Sequence, residues 1–364
     1  MTVDELETPA LVVDLDVLER NLARLSRYAS EHGVNLRPHT KTHKIPEIAK
    51  MQIASGCSGI TVAKSGEAEV MAQAGLDNIL IAYPVFGAPK AARIAGLARD
   101  KSITVAVDSE VTARELAGAA ASAGSTIGLL VELDVGMRRC GVATPEQAVA
   151  LAQAIDTMPG VRFAGLTFYP GHIWDAPDSQ AASLAGVEAQ VQAVIDRLRE
   201  AGLACGIVSG GSTPSAFNSH LLPFLTEIRP GTYVFNDRNT LGVGACRLED
   251  CALRVMVTVV SNAVKGRAII DGGSKTFTND RWFSGSREGH GLIPEDPAIT
   301  FEAMSEEHGH LDVSKASRVP QIGERLGVIP NHVCSCVNLH ERIWYHRRGQ
   351  VEGFWTVAGR GKVQ

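Results

Sequence analysis

From about residue 8 to residue 234, short apolar runs rich in β-branched residues alternate with longer, Ala-rich amphipathic stretches. The run 10–14 (ALVVD) reads as a strand, and 16–32 reads as a helix with Val17, Leu18, Leu22 and Leu25 on one face. Asp14 or Asp16 stands where it would cap that helix. Further strand-like runs fall at 34–36, 59–62, 78–82, 102–107, 126–133, 164–168 and 207–209. Helical stretches lie between them at 66–74, 89–99, 109–123, 145–157 and 179–201. Repeated strand–helix units call for a parallel sheet with crossover helices. About eight units in roughly 230 residues is the size of a (β/α)8 TIM-type barrel. A doubly wound open sheet is the competing arrangement.

The pattern changes near residue 240. Residues 254–260 alternate apolar and polar, 267–271 form a second strand-like run, and short β-like runs with Gly and Pro punctuation follow. The stretches 292–297 and 315–319 read as loop. Near the end, 342–345 and 351–357 read as paired strands joined by Arg347-Arg348-Gly349-Gln350 as a turn. The expected organisation is therefore an α/β barrel over 8–239 and a mainly antiparallel β domain over 240–364, with residues 1–7 packing on the latter.

Composition narrows the function classes. The 364 residues hold 45% hydrophobic and 21% charged residues, as in an ordinary globular protein. The net charge of −5 and the lack of a Lys/Arg tract argue against a nucleic-acid or anionic-membrane surface. Apolar runs such as 78–86 and 255–260 are too short to span a bilayer. Residues 1–7 carry three acids, unlike a secretory signal. Seven scattered cysteines do not resemble a disulfide framework. A reduced, cytoplasmic, soluble protein is expected.

Four segments carry candidate chemistry. In Arg37-Pro38-His39-Thr40-Lys41-Thr42-His43-Lys44, two lysines and two histidines follow a short strand, where barrel active sites form. A lysine held there in a pocket can form a Schiff base with an aldehyde cofactor; a solvated basic loop is the competing reading. Ser209-Gly210-Gly211-Ser212-Thr213-Pro214 follows the strand 207–209, and its small residues would let backbone N–H groups cradle a phosphate. Arg229-Pro230-Gly231-Thr232-Tyr233 follows another short strand and would complete the cradle. In Asn331-His332-Val333-Cys334-Ser335-Cys336, His and Cys two apart on an extended segment point the same way and would ligate one divalent cation in an open site. Cys336 lies on the same face of a regular strand, so spacing leaves open which cysteine ligates. Finally, Asp134–Gly141 brings arginines, and Tyr169-Pro170-Gly171-His172 an aromatic and a titratable group, to the ends of two more strands.

Taken in order, Glu7-Thr8-Pro9-Ala10, residues 37–44, 132–141, 169–172, 210–213 and 330–334 resemble the D-threonine aldolase / D-serine dehydratase family. These are fold-type III pyridoxal-phosphate enzymes, relatives of alanine racemase. The resemblance spans nearly the whole chain, and Pro-His-x-Lys-x-His-Lys followed by Pro-x-His-x-Cys is highly specific. It implies a barrel carrying pyridoxal 5'-phosphate on Lys41, with Lys44 structural. It implies His39, Arg139 and Tyr169 around the cofactor, with Lys41, Tyr169 and Arg139 as catalytic residues. Gly210, Gly211, Ser212 and Thr213 would hold the phosphate, with Gly231, Thr232 and Tyr233 nearby. His332 and Cys334 would bind the divalent metal (Zn, Mn or Mg). Family aldolases often carry Asp two residues after this His, and Cys is the dehydratase pattern.

The resemblance implies a lyase for D-β-hydroxy-α-amino acids, in the first place one making glycine and an aldehyde from D-threonine-type substrates. The alternative is β-elimination from D-serine or D-3-hydroxyaspartate. A racemase or a cofactor-storage protein would leave His332 and Cys334 without a task. A homodimer is expected, as in relatives of this fold. Side-chain specificity is expected to lie in loops such as 174–178 and 279–291.

Overall fold

The computed structural model describes residues 1–281 and 289–364, so the centre of the expected specificity loop 279–291 lies outside the described residues. The chain divides into two compact units. One comprises Met1–Ala23, Thr42–Ile45 and Thr232–Arg360; the other comprises Arg24–Lys41, Pro46–Gly231 and Gly361–Gln364.

The second of these is the expected barrel. Its strands are Asn35–Leu36, Ile60–Val62, Ile79–Ile81, Ile103–Val107, Ile127–Leu133, Val161–Phe168, Ile207–Gly210 and Glu227–Ile228. Neighbours pair in parallel in chain order, and the first strand pairs with the last. A parallel bridge between His39 and Thr61, with Thr61 N–H donating to Pro38 O at 2.8 Å, joins the first strand's continuation to the second. Ile127–Leu133 is buried along its whole length, as a strand covered on both faces must be. The intervening helices follow from local signals. Pro145–Asp156 starts from a capping box between Thr144 and Gln147 and buries Ala148, Leu151, Ala152 and Ile155, a single 3.6-period stripe.

The other unit is the expected antiparallel β structure. Its strands run in the order Thr300–Met304, Gly309–Asp312, Arg267–Ile270, Leu253–Ser261, Ala10–Asp14, Arg342–Arg347 and Gln350–Thr356. Arg325–Pro330 pairs with Leu253–Ser261 and with Gly291–Leu292. Alternation in the central strand is clean: Val255, Val257 and Val259 are fully buried and the residues between them are not. The hairpin at 347–350 forms as expected, with Arg348 and Gly349 at φ 49° and 79°, the left-handed pair a two-residue turn requires.

One strand moves from its expected place. Ala10–Asp14, read as the first of the barrel's alternating units, pairs antiparallel with Leu253–Ser261 and parallel with Arg342–Arg347. Its four apolar residues, Ala10–Val13, satisfy a buried position in either sheet, and pairing partners are invisible in periodicity. Among the described residues no helix is long and apolar enough to cross a membrane.

Candidate active site

In the barrel unit the expected residues follow strand C-termini, the end where barrel sites form. His39 N–H donates to Pro230 O at 3.0 Å, and Lys41 N–H donates to His39 Nδ1 at 3.3 Å. The buried imidazole is held well below its ordinary value, first by burial and then by the Lys41, Arg229 and Arg139 cations. His39 is therefore neutral, with Nδ1 accepting. Lys41 is half-buried in the one-turn helix Thr40–Thr42, and its Nζ lies 5.8 Å from the Tyr169 ring centroid. The Arg139 guanidinium lies 4.9 Å from the same centroid. Gly171 makes that ring position possible, since a Cβ there would stand 2.0 Å from Tyr169 Cε1.

A row of buried polar side chains crosses four adjacent strands in register: Glu132, Thr167, Ser209 and Glu227. Ser209 Oγ donates to Glu227 Oε1 at 2.6 Å and accepts from Arg229 at 2.7 Å. Glu227 Oε2 takes Arg37 Nε at 2.8 Å. Burial pushes the Arg229 guanidinium down to about 10, against the opposing pull of Glu227 and Glu132. Glu132 Oε1 accepts the Cys140 thiol at 3.1 Å, while Glu132 Oε2 and Thr167 Oγ1 are buried with no hydrogen-bond partner among the described residues.

Gly210–Thr213 forms a bare turn. A Cβ at Gly210 would meet the Phe168 ring at 2.4 Å, and Gly211 takes φ +90°. Ser212 is buried, its Oγ 2.9 Å from Ser215 Oγ. Arg229 N–H donates to Gly210 O at 3.0 Å, and Gly231 follows two residues later. A turn with two glycines, where a Cβ at Gly210 has no room, followed by the hydroxyls of Ser212 and Thr213, fits a phosphate-bearing cofactor.

The other unit holds the remaining candidates. Thr232 and Tyr233 lie in the turn Thr232–Val234, with Tyr233 buried and Thr232 Oγ1 3.8 Å from Cys334 Sγ. Lys44 is buried at φ 56°, and its Nζ donates to Asn338 Oδ1 at 2.7 Å.

The segment read as extended around Cys334 is instead the helix Val333–Leu339 with His332 at its N-cap. Val333, Cys336 and Val337 are its buried face, a spacing of i, i+3, i+4 that a helix explains and a strand does not. His332 and Cys334 still converge, because the cap residue is extended (φ −139°, ψ 112°) and its side chain meets the first turn, hydrogen-bonded to Cys334. Thr42 Oγ1 is 3.2 Å from Cys334 Sγ. Cys336 takes the opposite face: it is fully buried, its thiol donates to Thr276 O at 3.2 Å, and burial pushes the thiol far up. It is no ligand candidate.

Asp237 escaped the sequence reading. It is fully buried, and its Oδ2 is 3.1 Å from His332 Nδ1 and accepts Val333 N–H at 3.2 Å. The His332 imidazole is pushed up to about 11, first by the negative Cys334 sulfur and then by the hydrogen bond to Asp237, against burial. An imidazole beside a cysteine sulfur, with a carboxylate behind the imidazole, is suited to a cation, although among the described residues no three His, Cys, Asp or Glu side chains group as a metal site.

Comparison with known proteins places this arrangement. A family model described as "Alanine racemase, N-terminal domain" matches residues 13–239, and one described as "Putative serine dehydratase domain" matches 252–346. The chain is 37% identical to D-threonine aldolase of Arthrobacter sp, covering 98% of this chain and 93% of that protein. It is 34% identical to D-threo-3-hydroxyaspartate dehydratase of Delftia sp. strain HT23, covering 99% and 96%. The crystal structure of D-threonine aldolase from Filomicrobium marinum superposes with a TM-score of 0.93 at 35% identity, covering 100% of this chain and 98% of that one. A cysteine-to-alanine variant of D-threo-3-hydroxyaspartate dehydratase in its metal-free form superposes at 0.89 with 31% identity, covering 98% of each chain.

Proposed function

We propose that this chain, which belongs to the alanine-racemase-like family of D-threonine aldolases and D-serine dehydratases, is a pyridoxal-phosphate- and metal-dependent lyase acting on D-β-hydroxy-α-amino acids. The reaction we favour is retro-aldol cleavage of D-threonine-type substrates to glycine and an aldehyde. The observation that carries the reading is the convergence of His332 and Cys334 in a chain whose barrel also presents Lys41 and Arg139 beside the Tyr169 ring and a glycine turn after its seventh strand. A racemase or storage protein has no use for the first pair.

When bound, pyridoxal phosphate supplies an electron sink for the pair left at Cα, and a divalent cation supplies Lewis acidity at the β-oxygen. Lys41 would hold the cofactor aldehyde through Nζ, and the same amine would give a proton to Cα in the aldol cleavage or take one from Cα in the elimination. The turn Gly210–Thr213, with Gly231, Thr232 and Tyr233, holds the phosphate through N–H and hydroxyl donors. Arg139 and Tyr169 orient the ring, and neutral His39 adds contact without a further positive charge. His332 and Cys334 hold the cation; two protein ligands leave positions for water and substrate oxygens, unlike a closed structural site.

Cys334 supports a second reading, β-elimination to a 2-oxo acid and ammonia. It stands where family aldolases often carry Asp, and the similar D-threo-3-hydroxyaspartate dehydratase has a metal-free form recorded for a cysteine variant. Under this reading Lys41 would take the Cα proton as the Cβ–O bond breaks, and that proton would complete the departing hydroxide as water. A homodimer in a reducing, cytoplasmic setting belongs to the same proposal, and none of the seven cysteines is in a disulfide. Incubation with D-threonine, D-phenylserine and D-serine tests it. Glycine with an aldehyde supports the aldolase, a 2-oxo acid with ammonia supports the dehydratase, and no turnover of any of the three contradicts both.

A further inference from the structure

We propose that Asp237 is the positioning residue of the metal-binding histidine: its carboxylate takes the Nδ1–H of His332 and leaves Nε2 as the nitrogen presented to a divalent cation. The inference rests on the metal role of His332 and Cys334 argued above. Asp237 lies 95 positions from His332, and its side chain is 1% exposed against 38% for the histidine. The buried partner is thus the carboxylate, and the imidazole reaches outward from it.

Both carboxylate oxygens are committed. Oδ2 is 3.1 Å from His332 Nδ1 and accepts Val333 N–H at 3.2 Å. Oδ1 accepts Thr240 N–H at 2.9 Å and Thr240 Oγ1 at 3.0 Å. The same residue caps the helix Arg238–Gly242. A carboxylate pinned by donors on both oxygens has little freedom to swing toward a cation, which separates an orienting role from that of a third ligand. It can fix the imidazole tautomer and ring direction, and its charge strengthens the ligand nitrogen. The Val333 N–H bond ties the same oxygen to the first turn of the helix that carries Cys334, so one carboxylate sets the approach of both ligands.

The test is a cobalt(II) titration of the cofactor-loaded protein, followed by the thiolate-to-cobalt absorption band. Asp237→Asn, which is isosteric, should weaken cobalt binding by about 10- to 100-fold. The saturated spectrum should match wild type, because both ligands are still present, and the cofactor's visible band should stay; the melting temperature should fall, because the new amide NH2 faces a buried N–H that the carboxylate accepted. Unchanged affinity overturns the proposal, and so does an altered saturated spectrum, which would make Asp237 a ligand. A second readout needs no variant: in ¹⁵N-histidine-labelled, zinc-loaded wild type, His332 Nδ1 should carry the proton, and metal on Nδ1 overturns the assignment. If wild type and His332→Ala bind cobalt alike, the metal reading itself fails and this proposal falls with it.

Discussion

The ammonium of Lys41 lies 5.8 Å from the centroid of the Tyr169 ring. A lysine beside an aromatic face at a strand end is placed to hold a planar cofactor against that ring. Lys44, three residues on, is instead buried and donates to Asn338 Oδ1 at 2.7 Å. Lys41→Ala is therefore expected to abolish the visible absorption band of the cofactor-loaded protein, and Lys44→Ala to keep it at reduced stability. Loss of the band in Lys44→Ala alone would reverse the assignment.

The buried ion pair between Arg37 and Glu227, 2.8 Å apart, is expected to be a sensitive point of the barrel unit. Removing one partner of a buried pair strands the other charge, at a cost of about 3–5 kcal/mol. Glu227→Gln also weakens the acceptor for Ser209, which in turn accepts from Arg229. Arg114→Ala, which breaks an exposed helix-surface pair with Glu110, is expected to cost close to nothing. Urea unfolding of the two variants side by side checks the contrast; equal losses would show that the barrel pair is not the stabilising one.

Much of this was legible in the chain, and the exceptions have physical reasons. The barrel shows because its strands are continuous apolar runs and its helices carry Ala-rich stripes, so two independent periodicities agree. Ala10–Asp14 reads as a strand but falls in the other sheet, since its four apolar residues fit either one. The helix Val333–Leu339 was missed because two valines and an extended His332 imitate a strand, although Val333, Cys336 and Val337 already showed helical spacing. The Asp237–Thr240 capping box was visible in principle. That the same carboxylate reaches His332 was not, because nothing local links residues 95 positions apart.

His39 should give the protein a distinctive pH dependence. Burial, then the Lys41, Arg229 and Arg139 cations, hold its imidazole well below the ordinary value. The unfolded chain therefore binds the proton first as the pH falls. The contribution of His39 is complete above about pH 6.5 and is lost below it, toward the folded value, at up to about 1.4 kcal/mol per pH unit. Stability of cofactor-free wild type and His39→Asn, measured from pH 7.5 to pH 5, should show a shallower acid-side loss in the variant. Parallel curves would contradict a neutral buried imidazole.

The central claim is that the cation held by His332 and Cys334 acts on the substrate and is not a structural staple. Two ligands are half the complement of a closed zinc site, so the remaining positions belong to exchangeable oxygens. The most direct measurement follows D-threonine or D-phenylserine cleavage, the cofactor's visible band and the melting temperature together in chelator-treated protein verified to be metal-free. The account predicts that cleavage stops, returns on adding manganese or zinc, and leaves the band and the melting temperature in place. Cleavage at an unchanged rate without metal, or a melting temperature that collapses along with activity, would contradict it.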